Sequence, residues 1–122
     1  MSPPRSTQLI FTKDLRFAVA INNPAVPRFA SSDRSEGTDA ENKAAVAGSL
    51  ALYGTYTVDA EGRFAGEHVI GSTFPNWNGL DRTTAILTET IGGDAMIEHL
   101  QDPGGPMIEI VWRRISDRKT PQ

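Results

Sequence analysis

The sequences RFASSDRSEGTDAE (residues 28–41) and HVIGSTFPNWNGLDR (residues 68–82) are the most informative about the fold of this chain. Both lie between segments in which apolar and polar residues alternate, and this two-residue period is typical of β-strands. Short strands joined by polar turns predict a small antiparallel barrel with polar and aromatic side chains at one mouth. A barrel is a container, so the function would depend on what it holds.

Outside these stretches, the alternation predicts evenly spaced strands and one helix. The helix is expected over residues 39–50, because Thr38 and Glu41 have the spacing of a capping box and the segment is rich in alanine. We therefore predict a mainly β, up-and-down antiparallel barrel of about seven to eight strands with one short helix between strands 2 and 3. It would form a single domain over residues 1–122 with an ordered core over about residues 7–115, a loop at residues 102–106 and a polar tail at residues 116–122. The predicted strands are residues 7–12, 15–21, 52–59, 63–73, 81–91, 95–101 and 107–115.

Composition excludes several classes of function. The formal net charge of -3 and the pI of about 5.3 argue against nucleic-acid binding, which requires a basic face. The chain has no cysteine, which excludes disulfides, thiolate nucleophiles and Cys-based zinc sites. No apolar run approaches the roughly 18 residues that span a membrane, and the N-terminal residues lack the apolar segment of a secretory signal. We therefore expect a cytoplasmic protein that binds neither nucleic acid nor membranes.

Several segments resemble the bacterial and fungal lipocalin-like domain family. The most specific is Phe74-Pro-Asn-Trp77-x-Gly79, which follows the strand that contains His68. The loop at residues 28–39, the alanine-rich helix, Tyr53-Gly-Thr-Tyr56 and Val111-Trp-Arg113 add to a resemblance that covers roughly residues 9–113. The resemblance implies a calycin-like barrel of about eight to ten strands and a ligand cavity, rather than a particular reaction.

One departure from the family concerns the first strand. Members open with an additional strand that carries a Gly-Thr-Trp-like segment, and this chain starts after that point. The resemblance then implies an open sheet edge, and open edges recruit partners. We expect a second copy of the chain or the N-terminal arm to cover the edge, and we prefer the homodimer.

His68 is the first candidate for catalysis. It shares a strand face with Phe64 and Ile70, so it points inward if they do. Histidine side chains titrate near neutral pH, which suits a general acid or base inside a cavity. The alternative is a structural histidine that is hydrogen-bonded to a neighbouring hydroxyl or carbonyl group.

Arg82 and Asn76 are the other candidates for catalysis. Arg82 would be a buried cation if its strand face points inward, and its anionic partner would be Glu67, Asp81 or a ligand. Both Arg82 and Asn76 could stabilise an oxyanion.

A further set of aromatic and basic side chains is expected to contact the ligand. Some of these have structural alternatives: Asp33 could lock the loop between Arg28 and Arg34, Trp77 could plug the barrel, and an inward Arg113 under a ring could close its base. His99 cannot be assigned to one face, because the two faces of its strand are similarly mixed. The ligand-binding candidates are Arg28, Phe17, Tyr53, Tyr56, Phe64, Trp77, His99 and Trp112.

Several catalytic signatures are missing from the sequence. It has no glycine-rich phosphate loop, no Gly-x-Ser-x-Gly elbow and no close pair of carboxylates on one strand face, so nucleotide use, serine hydrolysis and glycoside hydrolysis are not predicted. Two histidines without a clear third ligand do not predict a metal site. No cofactor is expected.

Three functions agree with these observations. The first is a cofactor-independent cyclase, isomerase or dehydratase of secondary metabolism that holds a hydrophobic, polyketide- or terpenoid-like substrate in the barrel. The second is a non-catalytic carrier or sensor of a hydrophobic small ligand. The third is an interaction module whose barrel is filled by its own side chains. We rank the enzyme slightly above the carrier, by analogy with other small microbial barrels.

Overall fold

The computed structural model describes residues 6–101 and 107–115 and has eight strands and one α-helix in that part of the chain. The predicted loop at residues 102–106 and the tail at residues 116–122 lie outside the described residues. The elements in chain order are β1 (Ser6–Phe11), β2 (Arg16–Asn22), a 3₁₀ turn (Arg34–Glu36), α1 (Asp39–Ala47), β3 (Ser49–Val58), β4 (Phe64–Ser72), a second 3₁₀ turn (Pro75–Trp77), β5 (Asp81–Thr83), β6 (Leu87–Gly92), β7 (Ala95–Gln101) and β8 (Met107–Arg113).

The strands form two antiparallel sheets, which confirms the predicted mainly β fold with a short helix between strands 2 and 3. One sheet has the order β1-β2-β3-β4-β5 and the other the order β6-β7-β8. Each sheet is open, so each has two edge strands among the described residues. By contacts, the described chain divides into a first unit of residues 6–55 and 69–80 and a second unit of residues 56–68, 81–101 and 107–115. The single-domain organisation stays a prediction.

The first unit is built on the β1–β2 hairpin and the antiparallel pairing of β2 with β3. Phe17, Leu52 and Val69 are its buried apolar side chains. The hairpin turn is closed by Thr12, whose backbone nitrogen donates to the carbonyl oxygen of Arg16 at 2.8 Å. Leu15 belongs to this turn rather than to the strand, with φ at 66°.

Helix α1 begins as the sequence predicts. The Thr38 hydroxyl accepts a hydrogen bond from the Glu41 backbone nitrogen, and the Glu41 carboxylate accepts one from the Thr38 nitrogen. The helix ends at Ala47, three residues earlier than predicted, because the Gly48 nitrogen bonds back to the carbonyl oxygens of Ala44 and Val46 and closes the last turn.

The second unit contains the β6-β7-β8 meander. Residue pairs 92/95, 91/96, 90/97 and 89/98 lie opposite one another around the β6–β7 turn, where Gly93 has φ at 62°. Leu87 and Leu100, also directly opposite, are its buried apolar side chains. No helix in the described part of the chain is long and apolar enough to cross a membrane.

The prediction of one continuous strand at residues 81–91 is wrong, because a turn divides this segment into β5 and β6. The Thr83 carbonyl oxygen accepts a hydrogen bond from the Ile86 nitrogen at 2.9 Å, and the Thr83 hydroxyl accepts one from the Ala85 nitrogen at 3.3 Å. A threonine that bonds its own downstream backbone stabilises a turn in competition with an extended strand.

Candidate functional site

The first unit contains a cleft of about 1160 Å³. Its walls come from the end of β2, the loop before α1, helix α1, the start of β3 and the segment at residues 73–75. Much of the lining is apolar, and it includes Ile21, Phe29, Val46, Leu50 and Phe74. Val46 and Phe74 are exposed, which leaves apolar surface of the cleft in contact with water.

The loop that forms one wall of the cleft is held in place by acidic side chains. Asp33 accepts hydrogen bonds from the backbone nitrogen and the hydroxyl of Ser35 at 2.9 and 2.7 Å. Glu41 reaches from α1 to the backbone nitrogen of Ala30 at 2.9 Å, in addition to its bond within the capping box. These bonds favour the charged forms, so they lower the pKa of both Asp33 and Glu41. The loop is therefore fixed mainly by hydrogen bonds to backbone and serine, and not by the expected contact of Asp33 with two arginines.

A buried ion pair lies in the second unit. Glu67 on β4 and Arg82 on β5 are directly opposite in the strand register, and Nη1 of Arg82 lies 3.2 Å from Oε1 of Glu67. The two side chains are only 5% and 6% exposed. Burial raises the pKa of Glu67 to about 7, although Arg82 acts in the opposite direction. Arg82 is thus a buried cation, as the sequence predicts for an inward-pointing strand face, and its partner is Glu67.

Two further glutamates face each other in the same unit. Glu89 on β6 lies directly opposite Glu98 on β7, and the indole nitrogen of Trp112 donates to Oε1 of Glu98 at 3.0 Å. Burial, followed by the hydrogen bond and the charge of Glu98, raises the pKa of Glu89 to about 10. Burial and the neighbouring Glu98 carboxyl group therefore favour the protonated form of Glu89.

The sequence pattern along a single strand does not reveal these two glutamates. The pair forms across a hairpin, because a two-residue turn at Gly93-Asp94 places residue 89 opposite residue 98. The register of this hairpin is the sequence signal from which the Glu89–Glu98 pair could have been predicted. The described residues contain no group of three or more His, Asp or Glu side chains that could hold a metal ion.

A family model described as a lipocalin-like domain matches residues 6–114. The chain belongs to this lipocalin-like family. No curated protein and no solved structure matches it. The lipocalin-like fold is a small-molecule-binding fold.

In this lipocalin-like chain, His68 does not point inward. Its side chain is 46% exposed, and Nδ1 lies 2.7 Å from Oδ1 of Asp81, directly opposite on β5. The buried face of β4 carries Glu67 and Val69. Regular alternation is broken at Gly66, whose φ is 138° and where an added Cβ would lie 2.9 Å from the Arg82 carbonyl oxygen. Ile70, which shares a strand face with His68, is also exposed, so the condition for an inward His68 is not met.

The other predicted ligand-binding residues are distributed over both units. In the first unit, Phe17 is buried, Tyr53 is exposed, and the half-buried Trp77 packs edge to face on Phe74 with ring centroids 5.1 Å apart. Asn76 is exposed in the second 3₁₀ turn, and Arg28 is exposed and is not among the residues that line the cleft.

In the second unit, Tyr56 stacks on Phe64 at 6.5 Å, and Nε2 of His99 lies 2.8 Å from Oε1 of Glu109. Trp112 is half-buried and Arg113 is exposed, so the expectation that an inward Arg113 closes the barrel base is wrong. The catalytic and ligand-binding roles assigned to the individual side chains stay predictions.

Proposed function

We propose that this lipocalin-like protein is a carrier or sensor that binds a hydrophobic small molecule in the cleft of the first unit. The observation that carries the proposal is the cleft itself, with its apolar lining and a volume of about 1160 Å³. Ligand sites of about 300–1,000 Å³ accommodate drug-sized molecules. A cleft of this size can therefore accommodate such a ligand.

The apolar lining supplies the driving force for binding. Val46 on α1 is 73% exposed, and Phe74, which also lines the cleft, is exposed too. Removal of apolar surface from water contributes about 25 cal/mol per Å². The loop wall is fixed by the bonds that Asp33 and Glu41 accept, so little ordering cost would oppose binding.

A matched pair of substitutions tests the proposal. Val46→Asp places a charge in the cleft, and Val111→Asp places the same charge on the exposed strand β8 of the second unit. The probe is 1-anilinonaphthalene-8-sulfonate, followed by fluorescence and by calorimetry. We expect Val46→Asp to weaken binding at least about tenfold and Val111→Asp to leave it within about twofold. Equal binding by Val46→Asp and the unmodified protein would refute the proposal.

A second candidate function is cofactor-free acid–base catalysis on a polyketide- or terpenoid-like substrate of secondary metabolism, such as a cyclisation, isomerisation or dehydration. The specific observation in its favour is the buried Glu67 and the half-buried Glu89 in the second unit. Glu67, whose pKa is about 7, can both accept and donate a proton near neutral pH. Neutral Glu89 can act as a proton donor, and Arg82 can stabilise a developing oxyanion.

The acid–base function is tested with a hydrophobic 1,3-diketone in deuterium oxide, where enzymatic enolisation appears by NMR as faster loss of the α-proton. We expect Glu67→Gln to abolish the acceleration, and the unmodified protein to give a pH profile with an inflection near 7. His68→Gln serves as the comparison, because His68 is the proton carrier that the sequence predicted. Loss of exchange in His68→Gln alone would favour the sequence-based assignment, and no acceleration by any form would exclude the function for this substrate.

Each open sheet offers edge strands for pairing, which supports a homodimer. Sedimentation equilibrium would give twice the chain mass of 13.2 kDa for the dimer. The cysteine-free composition is compatible with a reducing cytoplasmic location, which fractionation of cells that produce the natural protein would test.

A further inference from the structure

Most polar side chains of the cleft are already used to hold its walls. Asn23 accepts from the Ala25 nitrogen at 3.0 Å, Ser49 donates to the Ala45 carbonyl oxygen at 2.7 Å, and Thr73 accepts from the Ala51 nitrogen at 2.9 Å. All three line the cleft. Because these three side chains already form hydrogen bonds with the backbone, they have few donors or acceptors left for a ligand.

The loop wall follows the same pattern. Ser35 donates to Asp33, and the amide nitrogen of Asn42 donates to the Gly37 carbonyl oxygen at 3.3 Å. The Asp33 carboxylate accepts both bonds from Ser35, which stabilise its charged form and hold it in place. Arg34, the next residue, also lines the cleft and is exposed.

Arg34 differs from the other polar residues of the cleft. No ion pair or side-chain hydrogen bond of Arg34 occurs within residues 6–101 and 107–115. It lies on a short turn whose preceding residue is fixed by the Ser35 bonds. A guanidinium group binds carboxylates and phosphates through paired N–H donors. The cleft thus combines apolar walls with one cation that is available to a ligand.

We propose that the ligand of this cleft is a single-chain amphiphile whose one anionic group pairs with Arg34 and whose apolar chain lies against Phe29, Val46 and Phe74. The inference rests on the proposed binding function and adds the chemical class of the ligand. A carboxylate and a phosphate monoester share the chemistry that Arg34 recognises. A neutral apolar molecule of equal length would pack against the apolar walls but would form no ion pair with Arg34.

The test compares decanoate, decyl phosphate and 1-decanol by isothermal titration calorimetry near pH 7.5, with the two anions below their critical micelle concentrations and the alcohol below its solubility limit. We expect one or both anions to bind about fivefold more tightly than decanol, which is the upper end of the gain from an exposed ion pair. The preference should decrease as salt is added, because the site is open to solvent. The more tightly bound anion identifies the head group.

Arg34→Gln should remove the preference for the anion while decanol binds as before. Lys43→Gln is the matched control, because Lys43 is an exposed cation on α1 that does not line the cleft. Equal affinity for decanol and both anions in the unmodified protein would overturn the inference, as would loss of the preference in both variants alike. If no ligand binds at all, it is the proposed function that fails. Circular dichroism of each variant confirms that the fold is retained.

Discussion

The stability of this protein should fall as the pH rises from about 5 to about 8, and Glu89 should be a main cause. In the unfolded chain Glu89 ionises near its ordinary pKa of 4.5, whereas in the folded protein burial and Glu98 raise its pKa to about 10. Between these values the folded state holds a proton that the unfolded state has lost. Because the folded state then binds more protons, the free energy of unfolding decreases with rising pH.

The magnitude follows from the width of the pH interval. Each pH unit between the two pKa values is worth about 1.4 kcal/mol, so three units from about pH 5 to about pH 8 give an upper limit of about 4 kcal/mol for Glu89. Glu67 acts in the same direction from its ordinary value of 4.5 up to its pKa of about 7, with an upper limit of about 3 kcal/mol. A domain of this size has a total stability of about 5–15 kcal/mol, so the combined effect would be large.

The assay is urea unfolding, followed by circular dichroism at both pH values. Glu89→Gln substitutes a neutral side chain of nearly the same shape. We expect it to change stability by no more than about 1 kcal/mol at the lower pH and to reduce the pH-dependent loss by up to about 4 kcal/mol. Glu61→Gln, in an exposed turn, is the control and should retain the full pH dependence. A stability of the unmodified protein that is constant or rises over this interval, with Glu89→Gln parallel to it, would refute the reasoning.

Three substitutions test other parts of the fold by urea unfolding. Gly66→Ala should cost about 2 kcal/mol or more, because φ is 138° and the new Cβ meets a carbonyl oxygen of the opposite strand, whereas Gly92→Ala, with no atom within 4 Å, should cost less than about 1 kcal/mol. Thr38→Ala should cost about 1 kcal/mol through loss of the α1 cap, and an unchanged midpoint would contradict the role of the capping box. Val69→Ala should cost about 2–3 kcal/mol because Val69 is fully buried, and the exposed neighbour Ile70→Ala is the comparison; equal losses would contradict the face assignment.

Local chemistry explains why much of the fold was predictable. The strand at residues 95–101 and the start of the helix at residue 39 agree with the structure. The alternation of side chains and the Thr38–Glu41 capping box involve only a few neighbouring residues. The local sequence is therefore sufficient to predict a strand or the start of the helix. The split of the predicted strand at residues 81–91 was missed, since it depends on whether the Thr83 side chain bonds the downstream backbone or lies extended.

The sequence left open which face of β4 is buried, and the exposure of His68 has a cause of longer range. Alternation relates Phe64 to His68 only if the strand between them is regular, and Gly66 breaks that regularity where β5 approaches closely. Glycine alone does not reveal which partner strand will approach. The exposed histidine beside Asp81 is therefore a result of strand pairing and not of the local sequence.

By itself the sequence determined the fold class, the helix cap and the resemblance to lipocalin-like domains, because these depend on patterns along the chain. Only the tertiary structure decided which faces are buried, that Glu67 and Arg82 pair away from water, and that Glu89 meets Glu98. It also decided that the loop before α1 and the segment at residues 73–75 enclose one cleft with Arg34 in its wall. These features join residues distant in sequence, and their pKa values and ligand contacts depend on burial and on neighbours that the chain supplies only once it is folded.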